Sequence, residues 1–571
     1  MTPSVSGTPS TATAQSAFAL ALFDEFARGG MTDVVVCPGS RSTPLVLGAL
    51  ATKGLRLHVR LDERSAGFFA IGRALATRRA VGVVVTSGTA AAELTASVVE
   101  ADLAGVPLVI VTADRPPELR GVGAPQTIDQ VKLFGGSVRR YEDPGTIRPG
   151  TERTWRPLAA RVLAAARTGP VHLNVPLVEP LDAPAGEVPS GRPGSEPWRT
   201  TVDTAVGFVG EPSTPRGRVL VVAGRGTDDV TVRDLAAARG WAVLADPLSG
   251  VRCEHPNVVS SFDLVLRDPA LRTRLRPDVV VSLGGAPSSK ALAESIEEWQ
   301  AHVVEVGASA STNDPSGIVA EVVEMSPTQW VTAMRSVRGA AKPVDEYVRA
   351  WRLADDAVQG ELETALSDGL TEPSLARLAS RELPIDVALV VSSSMPMRDL
   401  EWFGAATSEP RVVFANRGAN GIDGVVSTAL GVAAGSRSVG LLGDLAFLHD
   451  AGALADGVGQ HGGTCVLLVV DNDGGGIFSF LAQRTSVETA AFERLFATPP
   501  TVDVASVAAG YGATVHAAKD LDGVRSALAT GLAADGVTVV VARVPDRDAN
   551  VELHRVLAGR VGAAARAALE R

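Results

Sequence analysis

Two short polar clusters, each directly after an apolar run, are the first places where this chain could do chemistry. Gly443-Asp444-Leu445 follows the run Val439 to Leu442, and Asp471-Asn472-Asp473-Gly474 follows Cys465 to Val470. The Asp444 carboxylate and the Asn472 amide stand 472 − 444 = 28 residues apart. In a parallel sheet both runs would open on the same edge, where doubly wound folds bind their ligands. Asp444, the Asn472 side chain and a nearby backbone carbonyl are hard oxygen donors, the set that suits Mg²⁺ holding a diphosphate.

Two further clusters lie near the other end of the chain. Cys37-Pro-Gly-Ser40-Arg41-Ser42-Thr-Pro-Leu45 reads as a strand end, a tight turn and a helix start. There backbone N–H groups and a guanidinium converge where an anion could sit. Leu61-Asp62-Glu63-Arg64 ends a strand and opens a helix from Glu63 to Leu75, with acids where the helix dipole favours them.

The elements that must position these groups alternate from the start. Ala14 to Arg28 has helical periodicity, and Asp33 to Cys37, Leu57 to Leu61, Val81 to Val85 and Pro107 to Val111 are short apolar runs separated by helix-length segments. That is βαβ order, and it implies α/β domains with parallel sheets covered on both faces. A second such region begins at Arg218 and runs to about Arg338. A third begins near Val344, with strands expected near Ala388 to Val391, Arg411 to Ala415, Val439 to Leu442, Cys465 to Val470 and Val537 to Val541. Residues 183–215 turn to Pro, Gly, Ser and charge and read as a linker; residues 1–13 read as a disordered tail. Gly224-Arg225-Gly226 after a strand lacks the third glycine of a dinucleotide turn, because Asp229 stands there, and is read as plain structure.

Composition narrows the function classes. With 571 residues, 46% hydrophobic, the chain has the length of three or four ordinary domains. A formal net charge of −11 speaks against nucleic-acid binding, so anionic ligands would need local basic pockets. Cys37, Cys253 and Cys465 are scattered in or beside apolar runs, as buried thiols of a reducing cytoplasm would be. No apolar run reaches membrane-spanning length.

Taken together, the two acidic clusters and Gly474-Gly475-Gly476-Ile477-Phe478 resemble the thiamine diphosphate fingerprint. Leu445 and Asp471 depart from it without removing a ligand. Adding the Ser40-Arg41 motif, Thr112-Ala-Asp-Arg-Pro-Pro-Glu118, Gly169 to Pro176, Arg417-Gly-Ala-Asn-Gly-Ile-Asp-Gly424 and Arg547-x-x-Asn550-Val-x-Leu-His554, nearly the whole chain resembles the 2-succinyl-5-enolpyruvyl-6-hydroxy-3-cyclohexene-1-carboxylate synthase family of menaquinone biosynthesis.

The resemblance implies three Rossmann-like domains: pyrimidine-binding (14–182), central (216–338) and diphosphate-binding (339–571). It implies a thiamine diphosphate-dependent transferase that decarboxylates 2-oxoglutarate and adds the succinyl-semialdehyde carbanion to isochorismate in a 1,4-addition. Glu63, Ser40, Arg41 and Arg398 are the expected catalytic residues, and Arg115, Gln126, Lys290 and Ser394 the expected substrate contacts. Glu63, Ile422, Gly443, Asp444, Leu445, Asn472, Gly475, Ile477 and Phe478 would hold the cofactor, and Asp444, Asn472 and Gly474 an Mg²⁺ or Mn²⁺ ion. Pro125 and Ala291 stand where the family often has an asparagine and a basic residue. The family further implies a homodimer or dimer of dimers, with active sites at the subunit interface. The alternatives left open are an acetolactate-synthase-like carboligase and a non-catalytic binding protein of the same fold. The eight histidines include no adjacent pair, which disfavours a simple releasing decarboxylase.

Overall fold

The computed structural model describes residues 10–200, 214–307, 314–337, 345–459 and 461–571. The expected tail up to residue 9 and residues 201–213 of the expected linker lie outside the described residues. The first helix, Thr11–Arg28, begins inside the stretch read as tail, because the Ser10 side chain accepts a hydrogen bond from the Thr13 N–H and caps it. Residues of the linker that are described lie against the first domain: Gly186 donates its N–H to the Thr13 carbonyl and Arg156 donates to the Pro189 carbonyl.

Val-rich runs bounded by Gly, Pro and polar residues form strands throughout, and all of their pairings are parallel. The first sheet contains β1 (Asp33–Val36), β2 (Arg56–Val59), β3 (Val81–Val85), β4 (Leu108–Asp114), β5 (Tyr141–Glu142) and β6 (Val171–Pro176), in the order β2-β1-β3-β4-β6-β5. The second contains β7 (Val219–Ala223), β8 (Ala242–Ala245), β9 (Val258–Val259), β10 (Val279–Leu283), β11 (His302–Gly307) and β12 (Val319–Glu324), in the order β12-β11-β10-β7-β8-β9. The third contains β13 (Ala388–Val391), β14 (Val413–Phe414), β15 (Arg437–Gly443), β16 (Thr464–Asp471), β17 (Thr514–Ala518) and β18 (Gly536–Arg543), in the order β14-β13-β15-β16-β18-β17. The first and third sheets therefore have one topology, and the middle sheet has the dinucleotide-fold order. Its crevice is zipped shut: the Gly224 N–H donates to the Leu283 carbonyl at 2.9 Å and the Gly285 N–H to the Arg225 carbonyl at 2.8 Å.

Helices on both faces leave the central strands buried on both sides, as every residue of β3, β4 and β6 is. The helices Glu63–Thr77 and Val425–Ala433 pack across the boundary between the first and third domains. Glycine permits the approach: a Cβ on Gly72 would lie 2.2 Å from the Thr428 carbonyl oxygen, and one on Gly431 would lie 2.2 Å from that of Phe69. The helix Asp345–Ala365 turns Tyr347, Trp351, Val358 and Leu362 into the core of the central sheet, alongside Leu557 and Val561 of the C-terminal helix Arg547–Glu570. One core is thus shared across the expected boundary near residue 339.

Candidate active site

The predicted residues sit at the carboxyl ends of strands in the first and third sheets. In the first domain β1 runs into Ser40 and Arg41. The Arg41 guanidinium is buried and donates to the Leu177 carbonyl at 3.1 Å and to Glu179 at 3.0 Å. Arg115, at the end of β4, donates to the Pro125 carbonyl at 3.1 Å and lies 4.0 Å from the same Glu179 carboxylate. The Nε atoms of both arginines are buried without a hydrogen-bond partner. Gln126 has a left-handed backbone, φ 55°, and is held to Ser87 by two hydrogen bonds of 2.9 and 3.2 Å. Ser40 is exposed beside Arg41. A pair of cations, a hydroxyl and an amide thus share one edge, a set that suits carboxylates.

Glu63 follows β2 and opens the helix Glu63–Thr77, which Asp62 caps through the Ser65 N–H. Burial pushes its carboxyl above the usual range, and Asp62 and Glu93 add to the shift. Its neighbours are tied to the third domain: Arg64 donates to the His449 carbonyl and the Leu61 N–H donates to Asp456, both at 2.9 Å. Among the described residues no hydrogen bond or ion pair links Glu63 to Asp444 or Asn472.

In the third domain Gly443 ends β15, and Asp444 begins the helix Asp444–His449. Asp444 is buried and accepts from its neighbour Leu445 N–H at 2.7 Å and from Gly474 N–H at 2.8 Å. Burial pushes its carboxyl up to about 6, with Asp471 and Asp473 contributing, although the two N–H groups oppose the shift. Gly474 has φ 128°, which a side chain would strain, and this turn brings its backbone to Asp444. Asn472 follows β16 and donates from Nδ2 to the buried Glu372 carboxylate at 2.8 Å. Its Oδ1 is buried without a partner.

An orphaned amide oxygen beside a carboxylate that burial makes reluctant to ionise is a site short of positive charge. These donors fit a hard divalent cation. The turn Gly476–Phe480 follows, with Ile477 against the shared core and Phe478 tilted on Phe496 at 6.0 Å; Gly475 precedes it, packed against the Phe478 ring. Ile422 packs partly buried against the core between the first and third domains.

Ser394 follows β13 in a left-handed conformation, φ 78°, and its carbonyl accepts from Arg398 at 2.9 Å. Burial lowers the Arg398 pKa, and nearby Arg417 adds to that shift. Lys290 stands apart from these groups. It opens a helix of the central domain, is 85% exposed, and pairs with Glu294 at 3.4 Å. Ala291 beside it is buried in the core of the central sheet.

Sequence reasoning passed over four groups. Arg417 was quoted within a motif but given no role. Glu372, Asp399 and His554 form a buried chain behind Asn472, with His554 Nε2 and Asp399 2.6 Å apart. Burial pushes the Glu372 carboxyl up to about 8, and the neighbouring Asp399 carboxylate adds to the shift. Glu372, Asp399 and His554 come from three separate helices, and only the Asn550/His554 motif hinted at one of them.

Comparison with known proteins agrees with this geometry. Residues 17–133 match the family described as "Thiamine pyrophosphate enzyme, N-terminal TPP binding domain". Residues 213–391 match "Middle domain of thiamine pyrophosphate", and residues 402–542 match the corresponding C-terminal TPP binding domain. Two solved structures share the fold over 92% of the chain: a putative thiamin diphosphate-dependent enzyme from Mycobacterium smegmatis (TM-score 0.66, 20% identity, 99% of that chain) and benzoylformate decarboxylase from Polynucleobacter necessarius (TM-score 0.67, 17% identity, 98% of that chain). Among curated proteins, the 2-succinyl-5-enolpyruvyl-6-hydroxy-3-cyclohexene-1-carboxylate synthase of Myxococcus xanthus is 40% identical over 96% of this chain and 97% of its own length. The synthase of the same name from Thermobifida fusca is 40% identical over 96% and 99%, and that from Chloroflexus aurantiacus 39% over 94% of each. Cofactor-binding domains at both ends, and full-length relatives of one name, place this chain in the 2-succinyl-5-enolpyruvyl-6-hydroxy-3-cyclohexene-1-carboxylate synthase family of thiamine diphosphate-dependent enzymes.

Proposed function

We propose that the chain converts 2-oxoglutarate and isochorismate to 2-succinyl-5-enolpyruvyl-6-hydroxy-3-cyclohexene-1-carboxylate and CO₂, with Mg²⁺ or Mn²⁺ held by Asp444, Asn472 and the Gly474 carbonyl. The observation that carries the reading is the buried Asn472 Oδ1 without a partner beside the raised Asp444 carboxyl. Asp444, Asn472 and the Gly474 carbonyl would hold a cation there that neutralises a diphosphate. Thiamine diphosphate, when bound, supplies the means to make a carbonyl carbon nucleophilic after loss of CO₂.

The chain's own residues do the rest. Glu63, already reluctant to ionise, would hold a proton against a ring nitrogen of the aminopyrimidine. Ile422 would pack against the bound cofactor, and Ile477 and Phe478 would supply apolar walls that keep water out of the pocket. Both substrates are dianions. Arg41 and Arg115 on one edge and Arg398 on the other supply the opposing charge, Arg417 standing beside Arg398, while Ser40, Gln126 and Ser394 add hydrogen bonds. Lys290, exposed on the central domain and paired with Glu294, is left without a role in this reading.

The two edges meet across subunits of a homodimer, or of a dimer of dimers. In favour of this, the flanks of Glu63 are engaged with residues 449–456 of its own chain rather than with Asp444, and Leu61, two residues before Glu63, is 68% exposed. The three cysteines are free and buried, which fits a cytoplasmic enzyme; no described helix is long and apolar enough to cross a membrane.

The test is turnover with thiamine diphosphate, Mg²⁺ and 2-oxoglutarate, with and without isochorismate, following isochorismate loss and product mass. Consumption that needs every component and yields the succinyl adduct supports the reading. Decarboxylation with no adduct would overturn the choice of acceptor.

A further inference from the structure

Behind the candidate cation site runs a line of buried polar groups that begins at Asn472 and leads away from the strand ends. Asn472 Nδ2 donates to Glu372 Oε1 at 2.8 Å. Glu372 meets Asp399, Asp399 Oδ1 lies 2.6 Å from His554 Nε2, and His554 Nδ1 lies 2.8 Å from the Asn550 carbonyl oxygen. Glu372, Asp399, His554 and Asn472 are exposed by 4%, 1%, 5% and 7%, so none of these contacts is diluted by solvent.

Each member is anchored by its own element. Glu372 is the first residue of the helix Glu372–Arg381, fixed by the Thr371 cap and by Pro373 behind it. Asp399 lies on the helix Met395–Phe403, directly after Arg398. The His554 ring is boxed edge-on by Trp402, Phe403 and Phe480, with centroids 5.5, 4.9 and 5.0 Å away.

A side-chain amide can be turned over to exchange its oxygen and nitrogen, and only one orientation serves a cation. An acceptor facing Nδ2 forces Oδ1 to face the other way, toward Asp444 and Gly474. We propose that Glu372, backed by Asp399 and His554, is a positioning residue that locks the Asn472 amide with its oxygen toward the metal ion. The same chain ties the cation-binding turn to the helix that carries Arg398, so the diphosphate cation and a substrate anchor share one rigid support. Outer contacts of this kind orient metal ligands elsewhere, and losing them typically costs about 10- to 100-fold in metal affinity. The inference rests on reading Asp444, Asn472 and Gly474 as the cation site.

The experiment measures Mn²⁺ affinity by electron paramagnetic resonance, in the presence of thiamine diphosphate, on the full-length protein. Glu372→Ala is expected to weaken Mn²⁺ binding by about 10- to 100-fold. Glu372→Gln, whose carbonyl still accepts from Asn472, is expected to stay within about threefold of the parent. In an Asn472→Ala background, removing Glu372 should cost nothing further, because its effect passes through that amide. Should the alanine variant fold poorly, Glu372→Met fills the same space without an acceptor and reads the same quantity. Parental affinity in the Ala or Met variant overturns the proposal, as does a Gln variant as weak as Ala. Undiminished Mn²⁺ affinity in Asn472→Ala alone overturns the cation-site reading itself. Loss there but not in Glu372→Ala or Glu372→Met overturns only the positioning role.

Discussion

The first and third sheets are the same object built twice and used for opposite purposes. Their strands run in the same order, and corresponding strand ends carry corresponding kinds of turn. β1 and β13 both lead into a serine and an arginine, Ser40 and Arg41 in one, Ser394 and Arg398 in the other. β2 leads to Glu63, while its counterpart β14 leads to Arg417 and Ile422. β4 leads to Arg115, and its counterpart β16 leads to Asn472. One edge thus offers a carboxyl that burial makes reluctant to ionise among cations, and the other a buried acid and amide. Fold decides where chemistry can sit, and the loops decide what it is.

The two sheets also treat a buried aspartate differently. Asp33 in β1 accepts from His58 at 2.7 Å and from Arg56 at 2.9 Å, and pairs with Arg73 at 3.2 Å. Burial alone would raise its pKa, but these partners hold it well below the usual carboxylate range. Asp450 in the third domain is pushed up to about 6 by burial, which its hydrogen bonds from Ser427 and the nearby charge of Arg64 only partly offset.

The largest expected effect comes from removing the one group that the third edge has no counterpart for. Glu63→Gln should lower turnover by about a hundredfold or more while thiamine diphosphate affinity, read by tryptophan fluorescence quenching, changes little. Undiminished turnover would take the proton-sharing role away from Glu63. Next, Arg41→Ala and Arg398→Ala remove equivalent cations from the two edges. Each should raise the KM of one substrate by about 10- to 100-fold, the cost of a lost charge-assisted hydrogen bond. If both variants raise both KM values equally, the edges do not divide the substrates.

The smallest effects are on stability and have opposite signs. Asp33 has a depressed pKa, so its contribution is present above the ordinary carboxylate value of 3.8 and lost as pH falls through its folded value. Asp33→Asn should therefore lower the thermal midpoint at pH 7, by the equivalent of about 3 kcal/mol for a broken buried pair. Asp450 has a raised pKa, so its burden grows as pH climbs from 3.8 to about 6. Asp450→Asn should raise the midpoint at pH 7 and leave it nearly unchanged near pH 4. Midpoint shifts of the same sign at pH 7 would remove this contrast between the domains.

Much of this was legible in the sequence because the candidate groups stand where apolar runs stop. Val81 to Val85 and Ala388 to Val391 were bounded correctly, and the positions of Asp444, Asn472 and Glu63 at strand ends followed directly. β6 was passed over as a strand because His172 and Asn174 interrupt its apolar pattern. Both are buried in a network with Thr112 and Gln130, with contacts of 2.8 to 2.9 Å that replace water. The pairing of Glu372 with Asn472 spans 100 residues and that of Asp399 with His554 spans 155, so no local spacing records them. The helix Asp345–Ala365 was not singled out in the sequence, and its amphipathic pattern does not say that its apolar face completes the neighbouring domain's core.

The central claim is that two unlike edges, from two copies of the chain, make one active site. Mixing Glu63→Gln chains with Asp444→Ala chains under conditions that exchange subunits tests it directly. Each variant alone should be nearly inactive. A random mixture pairs unlike chains in about half of its dimers, each with one intact site, so about a quarter of the parental activity should return. A mixture that exchanges subunits and stays as inactive as its parts would place Glu63 and Asp444 in the same chain's site and contradict the account.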